Sequence, residues 1–326
     1  MNDAPQIGTR IVVRSLVGGT GPTGGPAMTD TVGRVLSIDA EAYVVERRDG
    51  TVHRVAVTDV VTWKQVPERP LRRRRAADVD TTTLTQITSR GWPPLQSEML
   101  GDWELRAAGG FTGRANSVAA VGSPGMESTD AIAAVEAWYL ARSAPPMAQV
   151  IVGSGAERDF LDAGWGPGNG LRAGALVQVA DLALTYAIDP EVEVRTELNE
   201  QWLALYGRAD EDMSAARAVI SGPTTVGFAQ LGDPIEAIAR VVVTGEWAGI
   251  AAVEVLPHRR EVGLATRLVS TCLAWAVERG ADKAYLQTMR ENTAALALYE
   301  PFGFVDHHDY RYLQSPSAHP QAAGRC

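Results

Sequence analysis

Apolar residues recur with two different periods along this chain of 326 residues, and the change of period marks its parts. In residues 1–66 the period is two. Short β-branched runs at 11–13, 30–38, 42–48, 51–57 and 60–66 are separated by turn residues, which predicts about five strands. Asp49-Gly50, between the third and fourth runs, is a hairpin signal. Residues 18–26 are mostly glycine and proline and read as a mobile loop. Five short strands in about 60 residues predict a small all-β barrel. Pro67 and Pro70 then bracket a linker, 67–80, which carries four adjacent arginines at 72–75.

Past residue 80 helical spacing enters, and one order of elements is met twice. The later copy reads helix 263–279, strand 283–289, helix 292–300, then Gly303-Phe304. The earlier copy reads helix 128–142, strand 147–152, helix 156–163, then Gly164-Trp165. Ala137-Trp138 aligns with Ala274-Trp275, and Gly164 with Gly303, with one two-residue difference in shift. This predicts a degenerate internal repeat, 81–189 followed by 190–315, with a disordered tail at 316–326. The later copy also offers a strand at 192–195, helices at 199–206 and 215–220, and strands at 225–231, 235–244 and 247–256. Trp202, Leu203 and Tyr206 share one face of the first helix. The resulting order, β-α-α-β-β-β-α-β-α-β, predicts an α/β (α+β) fold on a mixed sheet.

Candidate chemistry gathers at 253–304. A strand stops at Pro257 and opens through Arg260-Glu261-Val262-Gly263-Leu264-Ala265 onto a helix. Free N–H groups at a helix N-terminus bind a pyrophosphate, aided by the helix dipole. Gly263 and Ala265 leave room for it, and Arg260 adds charge. The strand before it can pair with the amides of a pantetheine arm. In the earlier copy, residues 120–126 stand at this place and contain no such cradle, so only the second copy is expected to bind the nucleotide.

These residues resemble the GNAT superfamily of N-acetyltransferases. Arg260-x-x-Gly263-x-Ala265 is similar to its acetyl-CoA signature, and Asn292, Ala294-Ala295, Leu298-Tyr299 and Phe302-Gly303-Phe304 are similar to its second motif. The resemblance implies acetyl-CoA as cosubstrate and direct attack of an amine on the thioester. It implies cofactor contacts at Val253, Val255, Arg260, Glu261, Val262, Gly263, Leu264, Ala265, Thr266 and Asn292. The amides of Val253 and Val255 would stabilise the oxyanion, and Tyr299 would protonate the departing thiolate with a pKa near that of a thiol. Many relatives place a glutamate where this chain has Gln287, which cannot take a proton. Glu254 is then the leading base, with Glu246, His307 and His308 as alternatives.

Composition narrows the partners less. The net charge of −9 divides unevenly: residues 1–75 hold 12 Lys/Arg against 8 Asp/Glu, and the remainder 18 against 31. An acidic body attracts a cationic amine, although acidic surfaces also serve solubility. No apolar run of 18 residues and no basic-then-apolar leader is found, so no membrane partner is expected. Two cysteines, Cys272 inside a helix and Cys326, give no disulfide framework and fit a reducing cytoplasm. Cys272 falls at core spacing. His258, His307, His308 and the cysteines lack metal-ligand spacing. The N-terminal barrel resembles SH3-like or Tudor-like modules, and with the arginine run it adds nucleic acid as a possible partner. The expected function is N-acetylation of a small amine or of a protein amine, including lysine of a nucleoid or histone-like protein. The competing reading is an adaptor that senses acetyl-CoA with little catalysis.

Overall fold

The structure is a computed structural model and describes residues 5–20, 26–47, 50–66, 75–167, 173–207 and 213–318. Asp49, the arginines at 72–74 and Cys326 lie outside the described residues, as does the tail from 319. The chain divides into two compact units, residues 1–73 and 74–326.

The first unit is a five-stranded antiparallel sheet. Its strands are β1 (Arg10–Thr20), β2 (Pro26–Ile38), β3 (Ala42–Glu46), β4 (Val52–Ala56) and β5 (Val60–Gln65), in the order β4-β3-β2-β1-β5. Alternation places Ile11, Val13, Val35, Val45 and Val55 in one core. Of the expected loop over 18–26, residues 21–25 lie outside the described residues, and its two ends are strand. β1 runs on through Gly18 and Gly19, β2 resumes at Pro26, and Thr20 pairs with Pro26. The register shifts between Leu16 and Thr20, so the ladder is irregular at the two glycines.

The second unit begins with α1 (Thr81–Gly91), β6 (Gln96–Leu100), β7 (Trp103–Ala107), β8 (Val118–Ala119), α2 (Ser128–Leu140), β9 (Met147–Ile151), α3 (Gly155–Asp162), β10 (Gly166–Pro167) and β11 (Gly174–Asp181). It continues with β12 (Val192–Arg195), α4 (Glu200–Leu205), α5 (Met213–Ser221), β13 (Val226–Leu231), β14 (Ala237–Thr244), β15 (Trp247–Val255), α6 (Leu264–Val277), β16 (Lys283–Thr288), α7 (Thr293–Tyr299) and β17 (Val305–Gln314). The strands form one mixed sheet in the order β12-β13-β14-β15-β16-β11-β17-β9-β8-β7-β6, with β10 beside β17. β15 and β16 are parallel, as are β8 and β9; the other pairs are antiparallel.

The two halves exchange their last strands. β11 closes the first half in sequence but lies between β16 and β17, and β17 closes the second half but lies between β11 and β9. Leu176↔Asp309 is a pair at the centre of the exchange. α6 buries Leu264, Leu268, Val269, Cys272, Leu273 and Ala276 against the second half of the sheet. In the first half, a second core packs around Trp103, Val135, Tyr139 and Phe160. The element α1, not expected from the sequence, starts at an Asp80 cap whose carboxylate accepts the Thr83 N–H at 2.8 Å. Among the described residues no helix is long and apolar enough to cross a membrane.

Candidate functional site

The parallel ladder between β15 and β16 ends at the pair Ile250↔Leu286. Beyond it Ala251, Ala252, Val253 and Glu254 on one side, and Gln287, Thr288 and Met289 on the other, line a cavity of about 420 Å³. A bulge in β15 helps open it: the register with β14 steps between Ile238↔Glu254 and Arg240↔Ala251, leaving Ala252 and Val253 opposite Ala239. Ala252 sits at φ 52°, a left-handed conformation that costs an alanine about 1–2 kcal/mol. The Leu256 N–H donates to Glu236 O at 2.9 Å, on the β14 side. Alternation along the strand therefore turns the N–H group of Val255 to the other side, where the ladder with β16 has ended.

Beside this opening α6 starts at Gly263, with φ 83° and no side-chain cap. The first-turn N–H groups of α6 have no partner within the helix. A Cβ on Gly263 would meet nothing within 4 Å, so the space before the helix is open. Glu261 also has positive φ, at 64°. The Arg260 Nε donates to Val255 O at 3.2 Å, which sets its guanidinium against the end of β15. Val262 is exposed and Leu264 is buried, so Leu264 offers only its backbone. None of the residues from 260 to 266 lines the cavity itself.

The other sequence-derived residues divide. Asn292 lines the cavity and caps α7, its side chain accepting the Ala295 N–H at 3.1 Å. Tyr299 lines it too, with 6% of its surface exposed and its ring edge-on to Phe304 at 5.7 Å. Burial pushes the Tyr299 hydroxyl well above the usual phenol range, with Cys272 and Glu254 acting in the same direction. That is away from a match to a thiol and corrects the expectation. Cys272 is fully buried, and burial lifts its thiol to about 12. Gln287 accepts the Tyr310 hydroxyl at 2.8 Å.

The alternative bases do not converge on the cavity. Glu246 lies at the start of β15, at the opposite end from Glu254, paired with Lys283 at 3.1 Å. His307 Nε2 meets Val79 O at 2.8 Å, and its Nδ1 meets His308 Nδ1 at 2.7 Å. Burial holds His308 down to about 4, with the charge of His307 adding to the effect.

The sequence did not disclose the far wall. Thr112, Gly113, Arg114, Tyr206, Tyr310 and Tyr312 line it, so both halves build one cavity. A Cβ on Gly113 would come within 2.7 Å of the Tyr312 ring, which is why a glycine stands there. The usable signal was Tyr310 and Tyr312 at strand spacing on one face. The loop preceding α2 also differs from its counterpart before α6. The Ser123 N–H donates to Asp102 Oδ2 at 2.8 Å, and Gly101 packs against the Pro124 carbonyl. That carboxylate ties down the loop at Ser123, before the helix begins at Ser128.

Comparison with known proteins agrees with this architecture. Residues 79–313 match the family described as "Probable histone acetyltransferase Rv0428c C-terminal". The chain is 30% identical over 331 residues to "Probable histone acetyltransferase Rv0428c" of Mycobacterium tuberculosis, spanning 96% of this chain and 97% of that protein. It is 25% identical over 247 residues to "Uncharacterized N-acetyltransferase YobR" of Bacillus subtilis, spanning 71% and 98%. A solved GCN5-related N-acetyltransferase from Kribbella flavida shares the fold, with a TM-score of 0.53 at 14% identity over 72% of this chain and 95% of that one.

Proposed function

Because the chain belongs to this family of GNAT-type N-acetyltransferases, we propose that it moves an acetyl group from acetyl-CoA to an amine held in the cavity of the second unit. The observation that carries the reading is the adjacency of two openings: a parallel ladder that ends at Ile250, and a helix that begins uncapped at Gly263. The first suits an amide-bearing arm and the second a pyrophosphate.

When bound, acetyl-CoA supplies a thioester whose carbonyl the amine attacks, with a thiolate leaving. The chain's residues take the remaining roles. The α6 amides from Gly263 to Thr266 hold the pyrophosphate, with the backbone turn at Glu261 and Val262 presenting them and Arg260 adding a positive charge. Val253 and Val255 offer N–H groups to the developing oxyanion. Tyr299, kept protonated by burial, gives its proton to the leaving sulfur. Glu254, from the same cavity wall, accepts the proton of the amine, since Gln287 cannot and is already bound to Tyr310. In this reading the second half alone binds the nucleotide, because residues 120–126 carry no counterpart of Arg260-x-x-Gly263-x-Ala265. The strand order of residues 10–65 supports reading the N-terminal unit as an SH3-like barrel.

Calorimetry with acetyl-CoA and a thiol-release assay across amines and basic proteins test the reading. Binding in the micromolar range, lost in Gly263→Trp, is expected. Absence of binding at millimolar acetyl-CoA would refute it.

A further inference from the structure

Arg114 reaches the cavity wall from the loop between β7 and β8, in the half that lacks a nucleotide cradle. It is half-buried, and its guanidinium lies over the Trp92 ring, 4.3 Å from the centroid. Among the described residues that guanidinium has no hydrogen bond and no ion pair. A second guanidinium, Arg240, lies over the same ring at 4.8 Å. Arg240 is 1% exposed and, among the described residues, donates only to the carbonyls of Ile220 and Gly91. Burial holds Arg240 down to about 9, and the charge of Arg114 pushes the same way.

Two arginines without a carboxylate thus stand on one aromatic ring beside a cavity. Partly desolvated charges of this kind call for a counter-charge. Contact with the Trp92 face holds Arg114 beside the cavity, and a guanidinium fork suits a planar anion. The counter-charge is not the cofactor's pyrophosphate, because no cradle residue from 260 to 266 lines this cavity. Glu254 lines the same cavity from β15, so the walls contributed by the two halves carry opposite charges.

We propose that the acceptor bears an anionic group, carboxylate or phosphate, beside its amine, and that Arg114 is the residue that reads it. The inference rests on the acetyltransferase reading above and adds the chemical class of the acceptor. The amine lies toward Glu254 and Tyr299, and the anion toward Arg114. The degenerate half would then serve as the selectivity wall of the other half's site. A charge-assisted bidentate contact of this kind corresponds to about 10- to 100-fold in affinity.

The test uses matched acceptors on the full chain: an amino carboxylate against its carboxamide, and an aminoalkyl phosphate against the corresponding aminoalcohol. Calorimetry on the CoA-saturated chain reads binding, and thiol release reads KM and kcat. The anionic member of at least one pair should bind about 10- to 100-fold tighter, with the gain in KM rather than kcat. Whichever pair shows it identifies the anion as carboxylate or phosphate. Arg114→Gln should bring the two members within about twofold, and Arg114→Lys should fall between. Acetyl-CoA affinity in the Arg114→Gln variant reports that the fold and the nucleotide site persist. Equal binding of both members, no binding of any member, or a preference that survives Arg114→Gln overturns the proposal. If acetyl-CoA binds and neutral amines are acetylated as well as anionic ones, this inference alone fails. If acetyl-CoA does not bind, the underlying reading fails.

Discussion

Tyr299 is a hydroxyl enclosed by apolar neighbours and held in its neutral form. A donor of that kind is fully protonated at neutral pH. Tyr299→Phe keeps the ring and its edge contact with Phe304 and removes only the proton, so kcat should fall about 100-fold with acetyl-CoA affinity unchanged. Turnover within twofold of the parent would remove Tyr299 from the chemistry. His308 gives a second residue-scale prediction. Val79 O can only accept, so His307 Nε2 carries a hydrogen and its Nδ1, when bare, accepts from His308. A further proton on that contact sets two N–H groups head to head. His308 titrates in the fold at about 4, below its usual 6.5. Its contribution to stability is therefore complete above about 6.5 and is lost as pH falls from there toward 4, up to about 3 kcal/mol. Urea unfolding across that window should show the slope, and His308→Gln should flatten it.

At the scale of elements, the junction of β15 with α6 sets the site. Gly263 is open on all sides but sits at φ 83°, so its demand is conformational rather than steric. Gly263→Ala should cost about 1 kcal/mol in thermal or urea unfolding and weaken acetyl-CoA severalfold through strain in the first turn of α6. An unchanged unfolding midpoint would show that the turn relaxes freely. This junction was legible in the sequence because a proline, a glycine and a helical apolar stripe follow each other within about 20 residues. α1 was not, since Thr81 to Thr83 and Gln86 hide its buried Leu84 and Ile87 among polar neighbours. β6 was not, since its residues are largely exposed and carry no alternation. The residues of β11 alternate weakly and are strand-like, but nothing local tells that their partners lie more than 100 positions later, in β16 and β17. Arg114 was invisible for the same reason: its meaning depends on Trp92 and on a cavity completed by the other half.

At the scale of the second unit, exchange of β11 and β17 makes each half incomplete alone. Without β11, β16 and β17 face each other across an empty strand position; without β17, β9 and β11 do. A fragment of residues 190–318 should therefore be insoluble or aggregated, and co-expression with residues 75–189 should return a soluble complex, read by size-exclusion chromatography. A monodisperse, folded 190–318 fragment would show that the exchange is dispensable. The exchange also has a consequence in time. On the ribosome β11 emerges long before either of its neighbours, and β17 emerges after every other described strand of the sheet. The sheet cannot be closed gradually from one end; it stays split until its final strand slides between two others already in place. That delay makes the late segment 305–314 the step on which folding waits, and the part of the chain where a chaperone would have most to protect.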